Sequence, residues 1–396
     1  MKNQRQYNIL FVFHNPFDPS FGGTERVTDL LSKEFIKRGH NVFYLSTRNK
    51  ESEYKFPCTQ YYLPYSNSLK NSKNYKYVES LIQTNKIDFI INQSGYNHEL
   101  NEIYDLKCKN IAAIHYEPRC HLKFKFDILD IKNKEKQSII KFYIKYLIYP
   151  LLKFIVKKRI KKEVAAHYNT LAQKANAVVL LSEKYIDEFY SFKVSNGRAK
   201  VVGIPNPNVF SNKQTNKYYK EKIVLYVGRL SIIDKNPIRL LEIWEYIFKK
   251  YADWKLILVG EGPDQEKLKR YVEERNIENV YFEGRQQNVL SYYQKASFIC
   301  LTSNTEGFGM ALIEGMSQGC IPFSFNNFAA ANDIIIDGEN GCLIKPFNIK
   351  EYANKLQNLM NDSEKRIKMG MAAQEYVKKY KIDNIVDKWE ELFSQL

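Results

Sequence analysis

"IVLYVGRLSIIDKNPIRLLEIWEYIFKKYADWKLILVGEGP", residues 223–263, decides how this chain is read. It opens on a short apolar run closed by Gly228 and Arg229, as in a strand buried on both faces. Asn236 and Pro237 then supply a helix cap and a first-turn proline, and apolar positions recur at helical spacing to Tyr251. "WKLILVGEG" (254–262) is a second buried strand. Two such strands joined by a helix pair in parallel, since a parallel connection must cross the sheet and a helix is the usual crossover.

The unit repeats outward. "NVYFEGR" (279–285), "ASFICLTS" (296–303) and "CIPFSF" (320–325) are further strands with helical stretches between them, and helices are predicted over 347–361, 363–380 and roughly 382–394, the last containing Trp389. The first half shows the same alternation: "NILFVFH" (8–14), a glycine turn and amphipathic helix over 22–40, then strands at 41–47, 87–93, 110–116, 176–182 and 201–206. The pattern predicts an α/β protein of two Rossmann-like, doubly wound domains facing a central cleft, because ligands of open α/β sheets bind at the carboxyl ends of the strands. The polar, two-proline stretch 204–222 is the hinge. The N-terminal domain is placed at 1–205, the C-terminal domain at 206–380, and a terminal helix returning to the N-terminal domain at 381–396.

A chain of 396 residues with 44% hydrophobic content sustains two cored domains and is not of a disordered class. Its net charge is +16, which favours anionic partners. Between Lys132 and Lys162 stand eleven basic residues and one acidic, Glu135, so most of the excess lies in one segment. The six cysteines show no CxxC spacing and read as free thiols in a reducing compartment. The N-terminal apolar run, Ile9 to Phe13, is too short for a signal-peptide core, and no uncharged apolar stretch of about 18 residues predicts a spanning helix.

Three stretches carry candidate chemistry. "FGGTER" (21–26) follows the first strand and opens a helix; glycines there let backbone approach a ligand, and helix N–H groups favour an anion. A tight turn accounts for two glycines as well, and GxGxxG is absent, which disfavours a nicotinamide dinucleotide. "VGRLSIIDKN" (227–236) sets Arg229 and Lys235 at the carboxyl edge of the second sheet, where the pair can clamp a diphosphate or be ordinary surface cations. "SNTEGFGMALIEG" (303–315) places Glu306 before a helix starting near Gly309, and Glu314 inside that helix. Carboxylates only accept hydrogen bonds, so their natural partners there are sugar hydroxyls.

These residues together resemble the large family of retaining, sugar-nucleotide-dependent glycosyltransferases of the GT-B fold, the glycogen-synthase-like family four (glycosyltransferase group 1), of the bacterial lipid-linked or capsular polysaccharide type. The resemblance covers nearly the whole chain and is strongest over 223–345. It rests on E-x7-E as Glu306 to Glu314, the arginine–lysine pair as Arg229 and Lys235, the glycine loop as Gly22 and Gly23, "VGEGP" (259–263) with Gly260, and "DGENG" (337–341). It implies that Arg229 and Lys235 hold the donor diphosphate, that Glu314 bonds the ribose, and that Glu306 with the backbone of Phe308, Gly309 and Met310 holds the transferred sugar and nearby phosphate. Gly284 and Arg285 would meet the base, and His115 in "AIHYEP" would line the sugar pocket, though a lone histidine is more often structural. Glu25 is an acceptor-side candidate. The implied enzyme is a retaining hexosyltransferase with UDP as nucleotide; no cofactor is expected, and no DxD-type cluster demands a metal.

"IIKFYIKYLIYPLLKFIVKKRIKKE" (139–163) is at once apolar, aromatic and basic. Lys141, Lys145 and Lys153 would each cost about 2.5–3.5 kcal/mol near a bilayer centre, and Pro150 would disturb a straight helix. An interfacial element fits better, with Lys157, Lys158 and Arg159 on anionic lipid; packing on the first domain is the other possibility. The expected partners are a nucleotide-sugar, a saccharide or lipid-linked saccharide acceptor of capsule, O-antigen or glycan assembly, and an anionic membrane surface, with the protein cytoplasmic and peripheral on the inner face of the cell membrane. The alternatives are a nucleotide-sugar epimerase of the same fold, which forms no glycosidic product, and a nucleic-acid-binding protein using the basic segment, which no nucleic-acid motif supports.

Overall fold

The structure, a computed structural model, describes residues 5–20, 22–48, 54–65, 68–95, 97–120, 122, 149–210 and 220–396. These form two compact units. The first takes the described residues up to Leu122, those from 149 to Val209, and Ile382–Leu396; the second runs from Phe210 to Lys381. The junction thus falls four residues beyond 205, because Pro205, Asn206 and Pro207 line a pocket with Val27, Gln93 and His115 of the first unit.

The first unit is a seven-stranded parallel sheet of β1 (Asn8–Phe13), β2 (Asn41–Ser46), β3 (Thr59–Tyr62), β4 (Phe89–Asn92), β5 (Lys109–Ile114), β6 (Ala177–Leu180) and β7 (Lys200–Gly203). The order is β3-β2-β1-β4-β5-β6-β7, with Leu10 in register with Phe43 on one side and Ile90 on the other. β1 from Ile9 to Phe13 and all of β4 are buried, as strands covered on both faces must be. β3 and the helix Ser72–Thr84 were not legible in the sequence; β3 has four residues, TQYY, none of them buried, so it carries no strand signature.

The helix Ile382–Gln395 belongs to this unit although it follows the second in the chain. Ile385, Val386, Trp389, Leu392 and Phe393 recur at helical spacing and are buried. Phe393 stacks on Phe89 at 4.4 Å between ring centroids and meets Tyr7 edge-on at 5.7 Å. Arg38 adds ion pairs to Asp387 (2.6 Å) and Glu390 (2.9 Å). His40 Nδ1 accepts from the Tyr7 N–H at 3.1 Å, so its proton sits on Nε2, which faces Glu390 at 2.9 Å.

The described helix Tyr149–Lys174 includes Pro150 as its second residue, next to residues outside the described set. Its later part packs on the unit through Ile160, Val164, Tyr168 and Leu171. Ahead of that face, Phe154 and Ile155 are 64% and 54% exposed beside exposed Lys157, Lys158 and Arg159. Lys153 lies in the same helix, whereas Lys141 and Lys145 fall outside the described residues. Among the described residues no helix is long and apolar enough to cross a membrane.

The second unit is a six-stranded parallel sheet of β8 (Glu221–Val227), β9 (Lys255–Val259), β10 (Val280–Gly284), β11 (Ala296–Leu301), β12 (Ile321–Phe325) and β13 (Cys342–Ile344), ordered β10-β9-β8-β11-β12-β13. Its core joins these strands to Trp244, Trp254, Tyr352 and Leu356 from the covering layers. The helix expected to Tyr251 is Ile238–Glu245 followed by a tight turn, Phe248–Lys250, that carries Ile247, Phe248 and Tyr251 into the core. Asn236 is not its cap: it is left-handed (φ +43°), and Pro237 takes the cap position.

Candidate active site

In the second sheet the chain runs outward from β8 through β9 to β10, then restarts beside β8 at β11 and runs the other way. The loops leaving β8 and β11 therefore diverge to opposite faces and open a crevice at the carboxyl edge, the usual ligand position of such sheets. Arg229 and Lys235 lie on the first loop, and Glu306 and the helix Met310–Ser317 follow the second.

Lys235 Nζ donates to both oxygens of Glu306, at 2.7 and 2.9 Å, with the side chains 27% and 11% exposed. Asn304 sets this geometry. Its backbone N–H donates to the Asp234 carbonyl (2.8 Å), its side-chain N–H to those of Ile232 (3.2 Å) and Ile233 (2.8 Å). Its amide oxygen accepts from Arg239 Nη1 at 2.5 Å, and the Arg239 guanidinium lies 4.0 Å above the Phe347 ring. Asn327 holds the carbonyls of Ser303 and Asn304 from the next strand end. Arg229 is exposed, its guanidinium without a partner among the described residues; its carbonyl accepts from the Tyr226 hydroxyl at 2.9 Å.

Gly309 adopts φ +95° and starts the helix Met310–Ser317, as a residue without a side chain can at no steric cost. The first-turn N–H groups of a helix have no intrahelical partner, so those at Met310 and Ala311 present positive charge at this edge. Phe308 points into the core, edge-on to Tyr380 at 5.3 Å, so it offers a ligand only its backbone. Glu314 is 3% exposed and accepts from the Tyr293 hydroxyl at 2.9 Å.

Gly260 (φ +139°) is required by packing: a Cβ there would stand 1.9 Å from the Gly228 carbonyl oxygen. Bonds from Gly260 N–H to the Gly284 carbonyl (2.8 Å) and from Gly228 N–H to that of Val259 (3.0 Å) knit the three strand ends together. Gly284 is also left-handed (φ +62°), and exposed Arg285 approaches Glu261 at 3.4 Å.

The remaining predicted residues lie in the first unit, at the carboxyl edge of its own sheet. Gly22 caps the helix Gly23–Lys37 in an extended conformation, and Gly23 has open space where a Cβ would stand. Neither is left-handed, so backbone strain does not explain the pair. Burial, and then the Asp18 charge, push the Glu25 carboxyl above its ordinary range against a backbone hydrogen bond that lowers it. His115 directly follows β5, its Nε2 bonded to Gln93 Oε1 and its buried Nδ1 without a partner among the described residues. Burial pushes its pKa down to about 4, so the ring is neutral at pH 7.

Residues 209–376 match the family described as Glycosyl transferases group 1. The chain carries a glycosyltransferase group 1 domain. A Haemophilus influenzae protein described as an uncharacterized glycosyltransferase is 28% identical over 379 residues, 94% of this chain and 96% of its own. A Campylobacter jejuni protein, GalNAc-alpha-(1->4)-GalNAc-alpha-(1->3)-diNAcBac-PP-undecaprenol alpha-1,4-N-acetyl-D-galactosaminyltransferase, is 30% identical over 194 residues, 48% of this chain; the alignment spans 54% of that enzyme. Among solved structures, Anabaena Alr3699/HepE in complex with UDP superposes with a TM-score of 0.74 over 99% of this chain and 100% of that one, at 16% identity. The likeness is one of fold, and that fold is GT-B. The crevice residues described above all belong to this glycosyltransferase group 1 domain.

Sequence inspection singled out neither Tyr293 nor Asn304 and Arg239, which hold the predicted site residues in place. A tyrosine inside a short polar helix and an asparagine in a loop carry no pattern of their own; contact with Glu314 and Lys235's loop is what distinguishes them.

Proposed function

We propose that this protein transfers a hexose or N-acetylhexosamine, with retention of configuration, from a UDP-sugar to a saccharide acceptor carried on a lipid, in the assembly of bacterial surface polysaccharide. The observation that carries this reading is the Lys235–Glu306 ion pair at 2.7 Å beside the start of the Met310–Ser317 helix, at the sheet position where a nucleotide ligand binds.

Cleaving the bond between the anomeric carbon and the diphosphate leaves positive charge on the sugar and negative charge on the departing phosphate. Lys235 and the helix N–H groups are fixed donors for that phosphate, exposed Arg229 turns to it when it binds, and together they supply, without a metal, the electrostatic stabilisation the step needs. Glu306 accepts from hydroxyls of the transferred sugar, and buried Glu314 from those of the ribose. The acceptor oxygen bonds to the anomeric carbon on the face the phosphate leaves, and its proton passes to a leaving phosphate oxygen. Glu306 as a covalent nucleophile fits less well, because Lys235 already engages both of its oxygens.

Exposed Phe154 and Ile155 with Lys157, Lys158 and Arg159 support a peripheral seat on the inner face of the cell membrane. Each lysine or arginine near an anionic surface contributes about 1 kcal/mol. An undecaprenol-linked acceptor in the name of the Campylobacter relative agrees with that seat. A thermal-shift screen of UDP-, GDP- and ADP-sugars, followed by transfer assays with and without chelator, tests the donor and metal independence. Stabilisation by UDP-sugars with chelator-insensitive transfer is expected; stabilisation by another nucleotide alone, or loss of transfer with chelator, refutes the corresponding part. Equal flotation with neutral and anionic liposomes would sink the membrane seat.

A further inference from the structure

Tyr293 is fully buried on the short helix Leu290–Lys295, ahead of β11. Its hydroxyl donates to Glu314 Oε2 at 2.9 Å; the tyrosine is wholly buried and Glu314 keeps 3% of its surface exposed. A carboxylate removed from water is costly unless its oxygens are paired. Here the pairing partner is itself fixed. Lys220 Nζ donates to the carbonyls of Tyr293 (3.3 Å) and Gln294 (2.7 Å), and also to that of Gln318, the residue that ends the helix carrying Glu314. Cys320 Sγ donates to the Tyr293 carbonyl at 3.0 Å, and Phe210 meets the Tyr293 ring edge-on. One half-buried ammonium thus ties the ends of both helices, and the tyrosine and carboxylate they present face each other at a set distance.

We propose that Tyr293 is a positioning residue that aims Glu314 at the ribose hydroxyls of the donor, and that through it the site selects ribonucleotides over deoxyribonucleotides. This rests on Glu314 being the ribose partner. A site that offers a buried acceptor to a hydroxyl rejects the analogue lacking it, because the acceptor is then left unpaired. That discrimination requires the carboxylate to be held in one orientation, and the Tyr293 bond is the contact that fixes Oε2; without it the carboxylate is aimed less well and the ribose hydroxyl decides affinity less.

The test is calorimetric titration of UDP, 2′-deoxy-UDP and 3′-deoxy-UDP into wild type, Tyr293→Phe, Glu314→Gln and the double variant. Wild type should bind UDP about tenfold or more tighter than at least one deoxy analogue. Tyr293→Phe should lose about tenfold in UDP affinity while the discriminated analogue binds as before, and in transfer assays the donor KM should rise with kcat held. Equal weakening of all three nucleotides would mark a merely structural tyrosine and overturn the proposal, as would wild-type discrimination persisting in Tyr293→Phe. Should that variant fold poorly, Tyr293→Phe/Glu314→Gln decides: no further loss of UDP affinity beyond Glu314→Gln supports the proposal, and an additional loss overturns it. If wild type fails to discriminate, or Glu314→Gln still does, the ribose assignment of Glu314 falls and the proposal with it. If only Tyr293→Phe retains discrimination, the assignment stands and the proposal alone falls.

Discussion

Replacing Lys235 by methionine separates what the ion pair does for the fold from what the cation does for the reaction. Lys235 and Glu306 approach at 2.7 Å with side chains 27% and 11% exposed. At an effective dielectric of about 20, unit charges at that separation attract by about 6 kcal/mol. Most of that is offset by desolvation of the two groups, so the net contribution to stability is about 1–2 kcal/mol. Lys235→Met keeps the aliphatic stem but removes the two charge-assisted bonds to nearly buried Glu306, whose other contacts include Ser303 Oγ at 3.4 Å. In a unit of this size, melting should fall by about 2–4 °C per kcal/mol. The rate should fall far more, since one fixed donor to a developing anion is worth about 10²–10³ in kcat. Adding Glu306→Gln removes the charge left without its lysine and should restore most of the melting temperature without restoring transfer. Calorimetric melting of the three variants, with initial rates of sugar transfer at saturating donor, makes the comparison. Transfer by Lys235→Met within about fivefold of wild type, or recovered together with melting temperature in the double variant, would refute the assignment of Lys235 to the leaving phosphate.

Three further outcomes are expected. His115 has its pKa pushed down to about 4 by burial, below the ordinary 6.5. As pH falls, the unfolded chain therefore protonates first, and the stability from this group, complete above about pH 6.5, is lost progressively down to about pH 4, to a total of about 3 kcal/mol. His115→Gln should flatten the melting temperature against pH over that window, and an unchanged slope would show that the ring is not buried as described. Gly260→Ala forces a Cβ to within 1.9 Å of the Gly228 carbonyl oxygen at φ +139°, so it should lower the melting temperature of the second unit and weaken UDP binding; a wild-type melt and titration would contradict the packing. Phe393→Ala removes the ring stacked 4.4 Å from Phe89 and should cost about 3–5 kcal/mol, seen as faster hydrogen exchange across Ile382–Gln395; unaltered exchange there would mean the helix is held by other contacts.

Much of the architecture is written locally. Apolar runs such as "FIIN" and "ASFICL" are buried over their whole length in parallel sheets, and only strands covered on both faces take that composition. The helix start at Gly309 and the approach of backbone at Gly260 were marked by glycines whose conformations no other residue adopts easily. Where elements are short or edge-placed, as at Thr59–Tyr62 and Cys342–Ile344, the composition is set by neighbours and no periodicity survives. Asn236 shows the same limit at a single residue, since a cap and a left-handed turn favour the same side chain.

For the site, residue types and their order along the chain were determined by sequence: two carboxylates eight positions apart, a cation pair after a strand, glycines between. Which groups meet was decided only in three dimensions. Lys235 and Glu306 are 71 residues apart and touch because β8 and β11 lie side by side where the sheet changes direction. Tyr293 reaches Glu314, and Lys220 reaches the ends of both their helices, for the same reason. Spacing along a chain fixes which face a residue takes on its own element. The distance between two elements is set by how the sheet orders its strands and how the core fills between them, and that is a property of the whole fold.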